Sequence, residues 1–251
     1  MKIAIIDLDS VAFYIGYPNK MFDDDGNPIK EDGKFVLIDK TEDELKNSAH
    51  YWMNEILTKS ESTHYIGFIK GKGNYRYEIN PDYKSNRPKE APKWWSTVKQ
   101  YLIDEFKAIP VDGMEVDDAV NITRLNLPDS FICAIDKDLL CLEGCHYNWS
   151  KNEWINTTAQ DANKKFWTDM IAGQSGDGIK GLPGKGVKFV EKRFLHTITP
   201  EGVLQCYIEH YGNEEQAIEE YYKNYKCLKI LDNKEGFVIP ESISVLKERE
   251  V

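Results

Sequence analysis

No run of about 18 or more apolar residues occurs in the 251-residue sequence, which leaves no membrane-spanning helix to expect. A signal peptide needs an unbroken apolar stretch, and the opening MKIAIIDLDS interrupts it with Asp7 and Asp9, so an unexported, cytoplasmic chain is expected. Cysteine is scarce: five residues, an odd number without the density of a disulfide scaffold, imply reduced thiols. Cys141, Cys145 and His146 are neighbours, but no second Cys/His pair at zinc-finger spacing completes a site. Basic excess is also missing. Lysine and arginine number 32 against 42 acids, a net charge of −10, so no global positive field marks a nucleic-acid partner. That does not exclude one, because a carboxylate-built metal site concentrates negative charge and phosphate contacts can be local. Internal repeats and low-complexity tracts are absent. What is present, 41% hydrophobic and 12% aromatic residues, suffices for one sizeable core or a core with a smaller satellite.

Residues 3–7, IAIID, read as a buried strand ending in an acid. Two Asp-Gly steps, Asp25-Gly26 and Asp32-Gly33, give the following acidic stretch the turn chemistry of a hairpin insertion; the glycine spacing does not fit an EF-hand. Thr41 with Glu44 forms a capping box ahead of an apolar stripe ending near Lys59. HYIGFI reads as a second strand, and the basic, aromatic segment at 70–95 is broken by Pro81, Pro88 and Pro92. A helix around Val98–Phe106 follows, then AIPVDG as a strand, EVDDAVNITRLN as a helix, SFICAID as a strand and KDLLCL as a helical turn. Strands alternating with helices imply a mostly parallel α/β sheet flanked by helices. Beyond residue 158 helical segments dominate, so the expected division is an α/β domain at 1–158 and a helical region at 159–251, with ESISVLKEREV as a solvated terminal helix or frayed end.

In open α/β sheets ligands bind beyond the carboxyl ends of the strands. Asp7 closes the first strand, Asp136 closes SFICAID with Asp138 two residues on, and Glu115, Asp117 and Asp118 stand where a strand gives way to a helix. The plainer explanation is that they cap loops and complement a helix dipole. Their accumulation at one sheet edge weighs against it, because the charges repel unless cations are present. Magnesium or manganese is the natural counterion, in an arrangement suited to phosphodiester hydrolysis. The second constellation, GQSGDGIKGLPGKGVKFVEK, places Gly181, Gly184 and Gly186 in a tight turn with Lys185 and Lys188, suited to a phosphate backbone or to an ordinary helix connection. It lacks the spacing of a Walker loop.

Together these segments resemble the flap endonuclease and 5′-3′ exonuclease family, especially its small phage members and the nuclease domain of bacterial DNA polymerase I. IAIID is similar to the first strand with its metal-binding Asp, DYKSNRP to the YKxNR clamp, and MEVDDAV to the ExDD motif. AIDKDLLCL is similar to DKDLxQL, and SGDGIKGLPGKG, within about 166–195, to a helix-three-turn-helix. The resemblance covers roughly residues 1–195. It implies a PIN-like fold and metal ligands at Asp7, Glu115, Asp117, Asp118, Asp136, Asp138 and Asp177, holding two Mg2+ or Mn2+ ions. It implies phosphate contacts from Lys84 and Arg87, and a Tyr83 that stacks on a base or buttresses the clamp. The turn at Gly181, Gly184, Lys185, Gly186 and Lys188 would grip the duplex, with K+ at the glycine turn. The implied partner is DNA at 5′ ends, flaps and junctions, with RNA:DNA hybrids as a second class, bound by a monomer in the cytoplasm of a cell or, for a phage protein, of its host.

Two departures bear on the second metal. Ile69 and Lys70 stand where the family has an Asp after the second strand, and Gln174 stands where its helical motif has another. Asp9 is a candidate replacement. The leading expectation is a metal-dependent 5′-3′ exonuclease or flap endonuclease; the alternatives are a structure-selective DNA-binding protein with weakened catalysis and a PIN-type ribonuclease.

Overall fold

The computed structural model describes residues 1–88 and 90–245. IAIID forms β1 (Ile3–Asp7), with every residue buried. Its continuous apolar run serves two faces: Ala4 and Ile6 enter one core, Ile3 and Ile5 the other. Then come α1 (Leu8–Gly16), α2 (Glu42–Lys59), β2 (His64–Lys70), α3 (Trp95–Phe106), β3 (Ile109–Val111), α4 (Val116–Asn126) and β4 (Ser130–Cys133). β1 is parallel to both β2 and β4, and β3 is parallel to the end of β2. Helices α1, α2 and α3 cover the face of Ala4 and Ile6, and α4 covers the opposite face. The capping box at α2 is formed: the Glu44 amide donates to Thr41 Oγ1 and the Thr41 amide to Glu44 Oε2.

The hairpin insertion follows its turn chemistry. Lys30–Glu31 pairs with Lys34–Phe35 across Asp32 and Gly33, both at positive φ, the signature of a tight primed turn. Asp23 accepts the amides of Asp25 and Asn27, which uses its carboxylate in the turn.

Two features depart from the sequence reading. A hairpin, β5 (Gly144–Asn148) and β6 (Glu153–Thr157), extends the sheet: β5 lies parallel to β4 and β6 returns antiparallel. The helical half, α5 (Ala159–Ala172), α6 (Val187–Arg193), α7 (Pro200–Tyr211) and α8 (Glu214–Leu228), has its own core around Met170, Leu182, Val203 and Tyr207. Its last helix ends at Leu228. Beyond Leu228 the chain returns to the sheet, where Ile230 is buried against α4, β7 (Ile243–Ser244) pairs antiparallel with β2, and Val245 enters the first core. Its apolar residues are too few and irregular to show a period. Within the stretch expected as a solvated terminal helix or frayed end, residues 243–244 form an edge strand, and 246–251 lie outside the described residues. Among the described residues no helix is long and apolar enough to cross a membrane.

A buried ion pair joins the two halves. Arg76 and Asp118 are 1% and 0% exposed, and Arg76 meets both carboxylate oxygens at 2.6 and 2.8 Å. Arg76 also donates to the Cys227 and Lys229 carbonyls, while Asp118 accepts the amides of Glu115 and Leu231. Removing one partner leaves a buried charge unpaired. Arg76→Met is therefore expected to lower unfolding free energy by about 3–5 kcal/mol. Arg76→Met/Asp118→Leu should recover only part of it, because the Glu115 and Leu231 amides stay unsatisfied. Denaturant titration measures both, and additive losses would contradict the coupling.

Candidate active site

Three strand ends bring acids to one edge of the sheet. Asp7, 5% exposed at the end of β1, caps α1 by accepting the Asp9 amide at 3.0 Å. Beyond β3, Glu115 and Asp117 stand at the start of α4. Beyond β4, Asp136 accepts the Asp138 amide at 2.8 Å, which starts the short turn Asp138–Cys141. Asp177 arrives from the helical half, in the turn Ser175–Asp177 after α5. These six acids line one open cleft of about 1040 Å3.

Asp118, implied as a ligand by the resemblance, is not among them. Spacing put it on one helix face with Glu115, but both its oxygens are filled by Arg76 and backbone amides, so it anchors α4 from behind.

The cleft stores like charge. Burial, Asp9 and Asp136 push the Asp7 carboxyl up to about 7. Burial and the charges of Asp136, Asp7 and Glu115 raise Asp117 well above the ordinary carboxylate range. Among the described residues no hydrogen bond or ion pair reaches the Asp117 carboxylate. No three ligating groups among them already converge on one point. The donors of Asp7, Glu115, Asp117 and Asp136 are all hard oxygens short of positive charge, which is the chemistry that fits a divalent ion of the magnesium or manganese kind.

The basic segment lies across this edge. Residues 80–88 turn repeatedly and dock on the loop at 174–178: the Lys84 amide donates to the Asp177 carbonyl, Asn86 to that of Ser175, and Arg87 Nε to that of Gly176. The Lys84 ammonium pairs with Glu115 and lies 3.8 Å from Asp177, while Arg87 pairs with Asp177. Burial lowers the Lys84 ammonium, but Glu115 and Asp177 outweigh it and hold the group charged. Tyr83 is 2% exposed and its hydroxyl donates toward Asp177 and Glu115, so it has no free face for a base.

The sequence reading missed several participants. Asp169, four residues after Lys165 on α5, lines the cleft beside Gln174. Asn74 donates to Glu115 at 2.9 Å. Asp9, by contrast, was the candidate replacement in the sequence: it accepts the Lys70 amide at 2.9 Å, which brings a carboxylate to the end of β2 where Ile69 faces the core. The amphipathic period of α5 held the signal for Lys165 and Asp169, but nothing local announced their partners.

The glycine turn lies outside the cleft lining. Gly184, Gly186 and Lys188 are exposed and Lys185 is half-buried over the Phe189 ring. Gly181 is buried at φ +58, and a Cβ there would lie 2.4 Å from the Ile171 carbonyl. Its role is therefore packing against α5, in place of the implied DNA contact. The Cys141, Cys145 and His146 group is no metal site either, since His146 Nε2 is held by the Leu142 carbonyl at 3.0 Å.

This architecture, a mostly parallel sheet with an acidic carboxyl edge and a helical half beside it, defines a mixed α/β fold. No family model matches the sequence. Among solved structures the chain is similar to bacteriophage T5 flap endonuclease in a pseudo-enzyme-product complex with DNA and metal ions. The identity is 14% and the TM-score 0.62, covering 90% of this chain and 91% of that one. It is similar also to the T5 protein co-crystallised with metal ions, at 16% identity and TM-score 0.61 over 90% and 91% of the chains. A T5 5′-exonuclease mutant matches at 12% identity and TM-score 0.58, over 92% and 87%. The likeness is one of fold, and it spans both halves.

Stability should report the stored charge. Asp7 rises from an ordinary 3.8 to about 7, so the folded protein holds that proton more tightly than the unfolded chain. Its favourable contribution is complete below the unfolded value and is lost as pH rises through about 7, at no more than about 1.4 kcal/mol per pH unit. In EDTA the melting temperature is expected to fall from pH 5 to pH 7, with Asp117 acting in the same direction. Asp7→Asn should flatten that fall, and an unchanged slope would show that Asp7 is ionised throughout. Gly181→Ala should destabilise by about 1–3 kcal/mol in the same melts.

Proposed function

We propose that this protein is a divalent-metal-dependent 5′-3′ exonuclease or flap endonuclease that hydrolyses DNA phosphodiester bonds. The observation that carries the proposal is one cleft in which Asp7, Glu115, Asp117 and Asp136 crowd together without enough positive charge while Lys84 and Arg87 face them from the docked basic segment. Those four acids would hold Mg2+ or Mn2+, which when bound activates water and neutralises charge developing on the phosphate. Lys84 and Arg87 orient the scissile phosphate, cationic donors whose reach Tyr83 sets from beneath. Water is the nucleophile and no covalent intermediate is required. Gly184, Lys185, Gly186 and Lys188 contact the backbone of the duplex, with K+ at the turn. RNA:DNA hybrids fall within the same chemistry, and the protein works as a monomer in the cytoplasm.

Gln174, in place of an acid, supports the second reading: a structure-selective DNA-binding protein that has lost efficient cleavage. The two separate in one experiment, incubation of a 5′-labelled flapped duplex and a blunt duplex with Mg2+, Mn2+ or EDTA. Cleavage with either ion and none in EDTA is expected, with product lengths distinguishing flap incision from exonuclease action. Asp136→Ala should lose about a hundredfold or more in cleavage while retaining binding. Lys84→Ala should weaken binding and reduce its salt dependence by about one phosphate contact. Binding that is equal in EDTA, without cleavage under any condition, would favour the binding protein.

A further inference from the structure

Two poles of the acidic cleft differ in how their charge is balanced. At one pole, among the described residues, Asp7, Asp117 and Asp136 have no cationic partner within ion-pair distance, and Glu115 alone has one, Lys84. At the other pole, every carboxylate already has one. Lys165 Nζ lies 2.6 Å from Asp169 Oδ2 and 3.5 Å from Asp138 Oδ1. Gln174 Nε2 donates to the same two oxygens at 3.1 Å each. Asp177 is held by Arg87 and by the Tyr83 hydroxyl.

We propose that Lys165 and Gln174 stand in for a second metal ion, so that this cleft takes one divalent ion, at the Asp7, Glu115, Asp117 and Asp136 pole. The inference rests on the nuclease proposal for the same cleft. Its chemistry is one of donors and acceptors. An ionised carboxylate only accepts, so the two acids facing Gln174 fix its NH2 group toward them and its carbonyl oxygen away. Asp138 Oδ1 already meets an ammonium and an amide. An aspartate at 174 would add an acceptor and a charge there; the carboxamide adds a donor instead. Lys165 is set by the helix: four residues before Asp169 on α5, its ammonium spans that acid and Asp138 across the cleft. A fixed ammonium balances charge but does not activate water. The catalytic ion is therefore confined to the first pole.

The test is a Mn2+ titration of the full chain by electron paramagnetic resonance, which counts bound ions without reference to cleavage. One bound Mn2+ per wild-type chain is expected, lost in Asp117→Asn and retained in Asp138→Asn. Lys165→Ala/Gln174→Asp should bind two, and adding Asp138→Asn should return it to one. Two ions on the wild-type chain, or a wild-type ion lost with Asp138→Asn, would overturn the proposal. So would a folded double variant, checked by circular dichroism, that still binds one. The wild-type count needs no variant, so a double variant that does not fold leaves a decisive measurement. One ion without cleavage of any DNA would defeat the nuclease proposal and leave this one standing; cleavage with two ions would do the reverse.

Discussion

The buried Arg76–Asp118 pair is the joint on which the site depends. It lies where three distant stretches meet: the segment after β2, the first turn of α4, and the chain leaving α8. Burying both charges is tolerable only because every donor and acceptor around them is filled. That requirement fixes α4 relative to the sheet, and with it the direction of Glu115 and Asp117. The same joint draws the end of α8 against the segment that leads into Lys84 and Arg87. The acids and the cations that face them are thus positioned by one contact behind the cleft, outside its chemistry.

In front of that joint the protein accepts electrostatic cost. Asp7 and Asp117 are carboxylates pressed into a poorly solvated edge beside others of the same sign, and burial and that like charge raise their proton affinity. A folded chain retains such a cluster when something else offsets it. At Asp138, Asp169 and Asp177 the offset is built from Lys165, Gln174 and Arg87; at the other pole, among the described residues, Lys84 pairs with Glu115 and no cation pairs with Asp7, Asp117 or Asp136. The cleft is electrically asymmetric, and the asymmetry separates a place for an external ion from a place that the chain has already neutralised.

Much of this was legible in the sequence because its signals are local. IAIID, HYIGFI and the helical stripe at 42–59 state their burial by period, and the Asp-Gly step at 32–33 states its turn by the conformations only such pairs adopt easily. That Asp7 and Asp136 come to one cleft was legible because strand ends in parallel sheets share an edge. Asp118 misled for a related reason: helical spacing gives the face a residue shares, not the arginine packed against it. The hairpin at 144–157 and the return of the chain after Leu228 carry mixed polar and apolar residues with no single period, so their place came from pairing with strands already formed.

By itself, the sequence determined the alternation of strands and helices, the acids at the strand ends, the basic segment, and the glycine turn between helices. Each is a property of neighbouring residues, set by propensity, capping or turn geometry. Tertiary structure alone decided which acids share the cleft, that Asp118 faces away, that Tyr83 is buried against Asp177 and Glu115, and that Lys165 and Gln174 occupy the ground beside Asp138. Those outcomes depend on contacts between residues far apart in the chain, where burial and charge balance act on whichever groups the packing brings together.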